Sequence, residues 1–66
     1  MQTTLSDMRI KRWRVKRQLT QQGLADKVGI HRVYVAQLEA GTKTPSLRTL
    51  QRLAKALRVK VADLLD

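Results

Sequence analysis

At 66 residues the chain buries only about 60% of its unfolded surface, so a single small domain over residues 1–66 is expected and an elaborate enzymatic cleft is not. Fourteen Lys and Arg against five Asp and Glu give a formal charge of +9, which points to a polyanionic partner, either nucleic acid or an anionic membrane. Cysteine is absent and His31 is the single histidine, which excludes disulfides, thiolate chemistry and Cys-based or multi-histidine metal sites, and no cofactor is expected.

No apolar run exceeds four residues (Val33 to Ala36), so neither a transmembrane span nor a secretory signal is expected and the chain reads as cytoplasmic. The aromatics are Trp13 and Tyr34 alone, so the core must come from Leu, Val, Ile and Ala.

The first helix is expected over Asp7 to Gln18, after a cap at Thr4 or Ser6, with Ile10, Trp13, Arg14 and Arg17 on one face. Arg9, Lys11, Arg12, Arg14, Lys16 and Arg17 read mainly as a solvated basic face. Thr20 caps the second helix, Leu24, Ala25 and Val28 form its apolar stripe, and Gly29 ends it. Gly23 stands where a Glu would close a capping box, which weakens this helix by about 1 kcal/mol relative to Ala. The third helix runs from about Arg32 to Ala40, and Gly41 stops it. A polar loop, Thr42 to Pro45, leads to Ser46, the cap of a fourth helix that turns Leu47, Leu50, Leu53, Ala54 and Leu57 inward. A last turn, Lys60 to Leu65, brings Val61, Leu64 and Leu65 to one side.

At 100° per residue, Val35, Leu38 and Glu39 share the inner side of the third helix. Its opposite side carries Val33 and Gln37, flanked by Ala36 and Ala40, with Arg32 at the first turn. An ordinary exposed helix would place Lys and Glu there. Small residues permit close approach to a groove, Gln pairs with adenine, Arg with guanine, and Val meets a thymine methyl. This face suits base reading, or a covering protein.

The segment "LTQQGLADKVGIHRVYVAQLEAGTKTPSLRTLQRLAKALRVKVADLL", preceded by Arg14, resembles the phage repressor and Cro family, the Cro/C1-type or XRE-like helix-turn-helix domain. The pattern covers about Ile10 to Leu65. It implies an all-α, compact bundle of about five short helices, with the helix-turn-helix proper at about 20–40 and its second helix in the DNA major groove. By position, Arg32, Val33 and Gln37 would contact bases, with His31 and Ala36 nearby. Gln21 would contact a phosphate and pack against Arg32, while Lys43, Thr44 and the backbone around Ser46 would hold other phosphates. Tyr34, at the flank, would pack or contact a backbone phosphate. The family also implies an Arg14–Glu39 pair, with Glu39 structural, and a core position for Trp13. Three positions depart from its usual pattern: Gly23, His31 in place of a Ser or Thr cap, and the bulky Val33–Tyr34 pair.

The resemblance implies a sequence-specific transcriptional regulator of double-stranded DNA, a repressor or controller protein. Such domains act as homodimers on inverted repeats, and Val59, Val61, Leu64 and Leu65 form the expected dimer patch. An antitoxin with a toxin partner, or a protein interaction module that has lost DNA recognition, are the alternatives. No enzyme is expected, since no nucleophile stands beside a base.

Overall fold

The computed structural model describes residues 9–65, which form an all-α bundle with no strand among them. The helices are α1 (Ile10–Lys16), α2 (Gln21–Val28), α3 (Arg32–Ala40), α4 (Leu47–Leu57) and α5 (Val61–Leu64). None of the described helices is long and apolar enough to cross a membrane.

Local chemistry sets these boundaries. The Gly23 N–H donates to Thr20 Oγ1 at 2.8 Å, satisfying one of the orphan donors of the first turn of α2. The Thr49 N–H does the same to Ser46 Oγ at 3.1 Å in α4. Gly29 and Gly41, at φ 83° and 85°, end α2 and α3 in the left-handed conformation that costs a glycine little. Asp63 caps α5, its Oδ2 accepting the Lys60 N–H at 2.9 Å while its own N–H donates to the Lys60 carbonyl at 2.9 Å. The expected α2, α3 and α4 are therefore present, with side-chain N-caps on α2 and α4 and glycine C-caps on α2 and α3.

The first helix is shorter than Asp7 to Gln18. Arg9 (φ 63°) and Gln18 (φ 61°) are left-handed, which confines the helical run to the residues between them. Asp7 and the candidate caps Thr4 and Ser6 lie outside the described residues.

The core comprises Ile10 of α1, Leu24, Ala25 and Val28 of α2, Val35 and Leu38 of α3, Leu50, Leu53, Ala54 and Leu57 of α4, and Leu64 of α5. Leu47 corrects the inward set of α4, because it is 65% exposed. It lies about 60° from Leu50 on the wheel and in the opening turn, where α4 reaches beyond its neighbours. Trp13 is half-buried against the core and donates its Nε1–H to the Asp63 carbonyl at 3.2 Å, tying α1 to α5.

Three arginines bind the elements through backbone carbonyls. Arg14 Nη1–H donates to Leu19 O at 2.8 Å, Arg17 Nε–H to Leu57 O at 2.7 Å, and Arg52 Nη2–H to Val28 O at 2.6 Å. Each charge-assisted bond is worth about 1.5–3 kcal/mol, and those of Arg17 and Arg52 place a cation on the negative end of a helix dipole. Arg17 is half-buried and Arg52 lies exposed on the outer side of α4. Each still reaches the carboxyl end of a neighbouring helix, because a guanidinium on a long stem reaches a helix end that its Cβ does not face.

Candidate nucleic-acid interface

Residues 21–40 hold the two helices of the expected motif, α2 and α3, joined across Gly29, Ile30 and His31. The lower side of α3 is fixed to α2 by Val35 and Leu38, both buried, and α2 packs chiefly on α3. Its upper side is open: His31, Arg32, Val33 and Ala40 are exposed, with Val33 at 56%, and Ala36 and Gln37 are half-exposed. Neither the Arg32 guanidinium nor the Gln37 amide has a hydrogen-bond partner among the described residues. The wheel's outward face is thus a surface with its two polar heads uncommitted.

The far end of α3 is anchored by a three-residue network. Arg14 Nε–H donates to Glu39 Oε2 at 2.6 Å and Nη2–H to Oε1 at 3.2 Å, a two-pronged pair whose side chains are 11% and 5% exposed. Gln21 Nε2–H donates to Glu39 Oε1 at 3.1 Å. The Arg14–Glu39 pair has the geometry that the resemblance implied. The Gln21 amide bonds to Glu39, which faces the start of α2. No sequence spacing linked Gln21 to Glu39, and only the crossing of α2 and α3 brings them together.

Lys43, Thr44 and Ser46 are exposed in the connection from α3 to α4. The Ser46 hydroxyl is already engaged, accepting from Thr49 N–H and donating to Thr49 Oγ1 at 3.1 Å. Tyr34 is half-buried and packs on the core from the flank of α3. The His31 side chain makes no cap bond, and in the first turn of α3 the Tyr34 N–H donates to the His31 carbonyl at 3.0 Å. The first turns of α2, α3 and α4 contain no acidic residue of their own, and among the bonds of the described residues only that of α2 has a carboxylate beside it, Glu39. Of the expected dimer patch, Val59, Val61 and Leu65 are half-exposed, whereas Leu64 is fully buried in the core and cannot touch a second chain. Its burial corrects that member of the patch: α5 is a single turn, and one of its apolar residues must close the bundle.

Residues 10–64 match the family model described as helix-turn-helix. The chain is 39% identical over 51 residues to the control protein C.BamHI of Bacillus amyloliquefaciens, a match covering 77% of this chain and 63% of that protein's length. The fold is similar to the crystal structure of the restriction-modification controller protein C.AhdI of Aeromonas hydrophila, with a TM-score of 0.86, 31% identity and 92% of each chain covered. It is similar to the master regulator for biofilm formation SinR, solved in complex with DNA, with a TM-score of 0.85, 31% identity, and 96% of this chain and 100% of that one covered.

Proposed function

The chain belongs to the Cro/C1-type helix-turn-helix family of DNA-binding transcriptional regulators, and on that premise we propose a repressor or controller protein that works as a homodimer on an inverted-repeat operator. The observation that carries this reading is the open face of α3, with Arg32 and Gln37 uncommitted around the exposed Val33. Arg32 and Gln37 read base edges and Val33 meets a thymine methyl, while His31 and Ala36 line the same approach. Lys43, Thr44 and the amides opening α4 at Ser46 hold phosphates on one side of the reading helix, with Tyr34 at its flank. Gln21 presents its remaining N–H to a phosphate from the amino end of α2, oriented by Glu39. The similarity to a regulator solved with DNA supports this docking, and the controller proteins among the relatives support the controller role.

One recognition helix spans too few base pairs for useful specificity, which supports a two-chain complex. Val59, Val61 and Leu65 supply its apolar contact. Selection of bound sequences from a random duplex pool at near-physiological salt, with stoichiometry measured on the winning duplex, tests the reading. An enriched inverted repeat bound by two chains is expected. Binding without enrichment that vanishes as salt rises would reduce the +9 charge to a source of non-specific affinity and overturn it.

A further inference from the structure

An open groove of about 730 Å³ lies between the end of α2, the second half of α4 and the turn after α1. Arg17, Lys27, Arg52, Lys55 and Arg58 line it, Leu19, Val28 and Ala56 complete its wall, and no carboxylate is among the lining residues. No residue of α3 or of the 41–46 connection contributes, so the groove is separate from the face assigned to DNA.

Charge accounting makes the groove unusual. The carboxyl ends of α2 and α4 emerge here, and each offers about half a negative charge. Arg17 and Arg52 already answer them by donating to Leu57 O and Val28 O. Five cations against roughly one unit of helix dipole leave a surplus of about four positive charges. The side chains of Lys27, Lys55 and Arg58 have no partner among the described residues. The described acids are engaged elsewhere: Asp26 with Gln22, Glu39 with Arg14 and Gln21, and Asp63 with the start of α5.

We propose that this groove docks an acidic, amphipathic segment of a partner protein. The two anchored guanidiniums are held in place and retain free N–H groups in the fork geometry that suits a carboxylate. The half-exposed Leu19 and Ala56, set over the buried Val28, give apolar side chains a place to rest, which a phosphodiester backbone does not need. The groove is open along its length, so a chain segment can lie in it without being enclosed. Such a partner binds without occupying the reading face of α3, so it joins a DNA-bound regulator as a third component.

The probe is a fluorescein-labelled peptide of repeated Glu-Glu-Leu units, followed by anisotropy with the full chain, alone and saturated with unlabelled duplex. The peptide is expected to bind in both conditions, and Lys27→Glu/Lys55→Glu is expected to weaken it about tenfold while duplex affinity stays within about twofold. Both lysines are exposed and unpartnered, and Lys27→Gln/Lys55→Gln, expected to weaken the peptide by a smaller factor, guards against a folding effect of charge reversal. A peptide with Ser in place of each Leu should bind more weakly than the parent. Unchanged peptide binding by both lysine variants, displacement of the peptide by duplex, or equal binding of the Ser peptide would overturn the proposal. So would a second duplex captured by the wild type and lost in the variants, which would make the groove a phosphodiester site.

Discussion

Gln21, the first residue of α2, and Glu39, in the last turn of α3, are joined by a hydrogen bond of 3.1 Å across 18 residues of sequence. The same carboxylate accepts both prongs of Arg14 from α1. One nearly buried acid therefore sets where three helices meet, and it holds the two helices of the reading motif at a fixed angle.

Removing one member of this network leaves a buried charge without its counterpart. Arg14→Ala should cost about 3–5 kcal/mol of stability in urea unfolding, whereas Arg14→Met/Glu39→Leu should recover most of that loss. The double variant nonetheless frees the Gln21 amide, so its affinity should fall by a similar factor on every duplex. A double variant as unstable as the single would show that the pair does more than satisfy its own charges.

Gly29 closes α2 at φ 83°, and a Cβ built there would stand 3.0 Å from Arg52 Nη2. That guanidinium is itself bonded to Val28 O. Gly29→Ala should therefore lower stability by about 1–2 kcal/mol, the cost of a left-handed residue bearing a side chain. Combining it with Arg52→Met should cost less than the sum of the two single changes, measured by urea denaturation. Strict additivity would mean that the two groups do not press on each other.

On the selected operator, Arg32→Ala and Gln37→Ala should each cost about 1–3 kcal/mol and relax preference at one base position. Titration against the operator and its single-base variants measures both effects. A loss that is uniform across sequences would place the residue on a phosphate instead.

Lys43→Ala should weaken binding to all duplexes alike and reduce the slope of log K against log salt by about one. An unchanged slope would remove Lys43 from the phosphate set.

Much of this fold was legible because its punctuation is local. Thr20, Gly29, Gly41 and Ser46 act through their own backbone neighbours, so α2, α3 and α4 are readable from short stretches of sequence. The open face of α3 was legible for the same reason, since a helix of fixed period assigns sides without reference to the rest of the protein. Leu47 was not, because periodicity gives a direction but not the point where neighbouring helices stop covering it. Nor were the carbonyl bonds of Arg17 and Arg52 or the Gln21–Glu39 bond, which depend on crossing geometry and long side chains. The left-handed Arg9, which sets the start of α1, carries no sequence signal at all, being neither Gly nor Asn.

The attachment of α5 has a consequence for assembly. A helix of four residues has no standing of its own in water, and this one is held by Leu64 in the core and by the bond from Trp13 to Asp63. The carboxyl-terminal edge is thus the part of the bundle that opens at least cost, and it also bears the half-exposed Val59, Val61 and Leu65. A second chain gripping those residues would clamp the edge shut, so association and the order of that edge become one equilibrium. Melting temperature should then climb with protein concentration, with the emission of Trp13 reporting the transition. Under the proposed pairing, occupancy of DNA would depend steeply on protein concentration, because each added chain would also steady the edge that it grips.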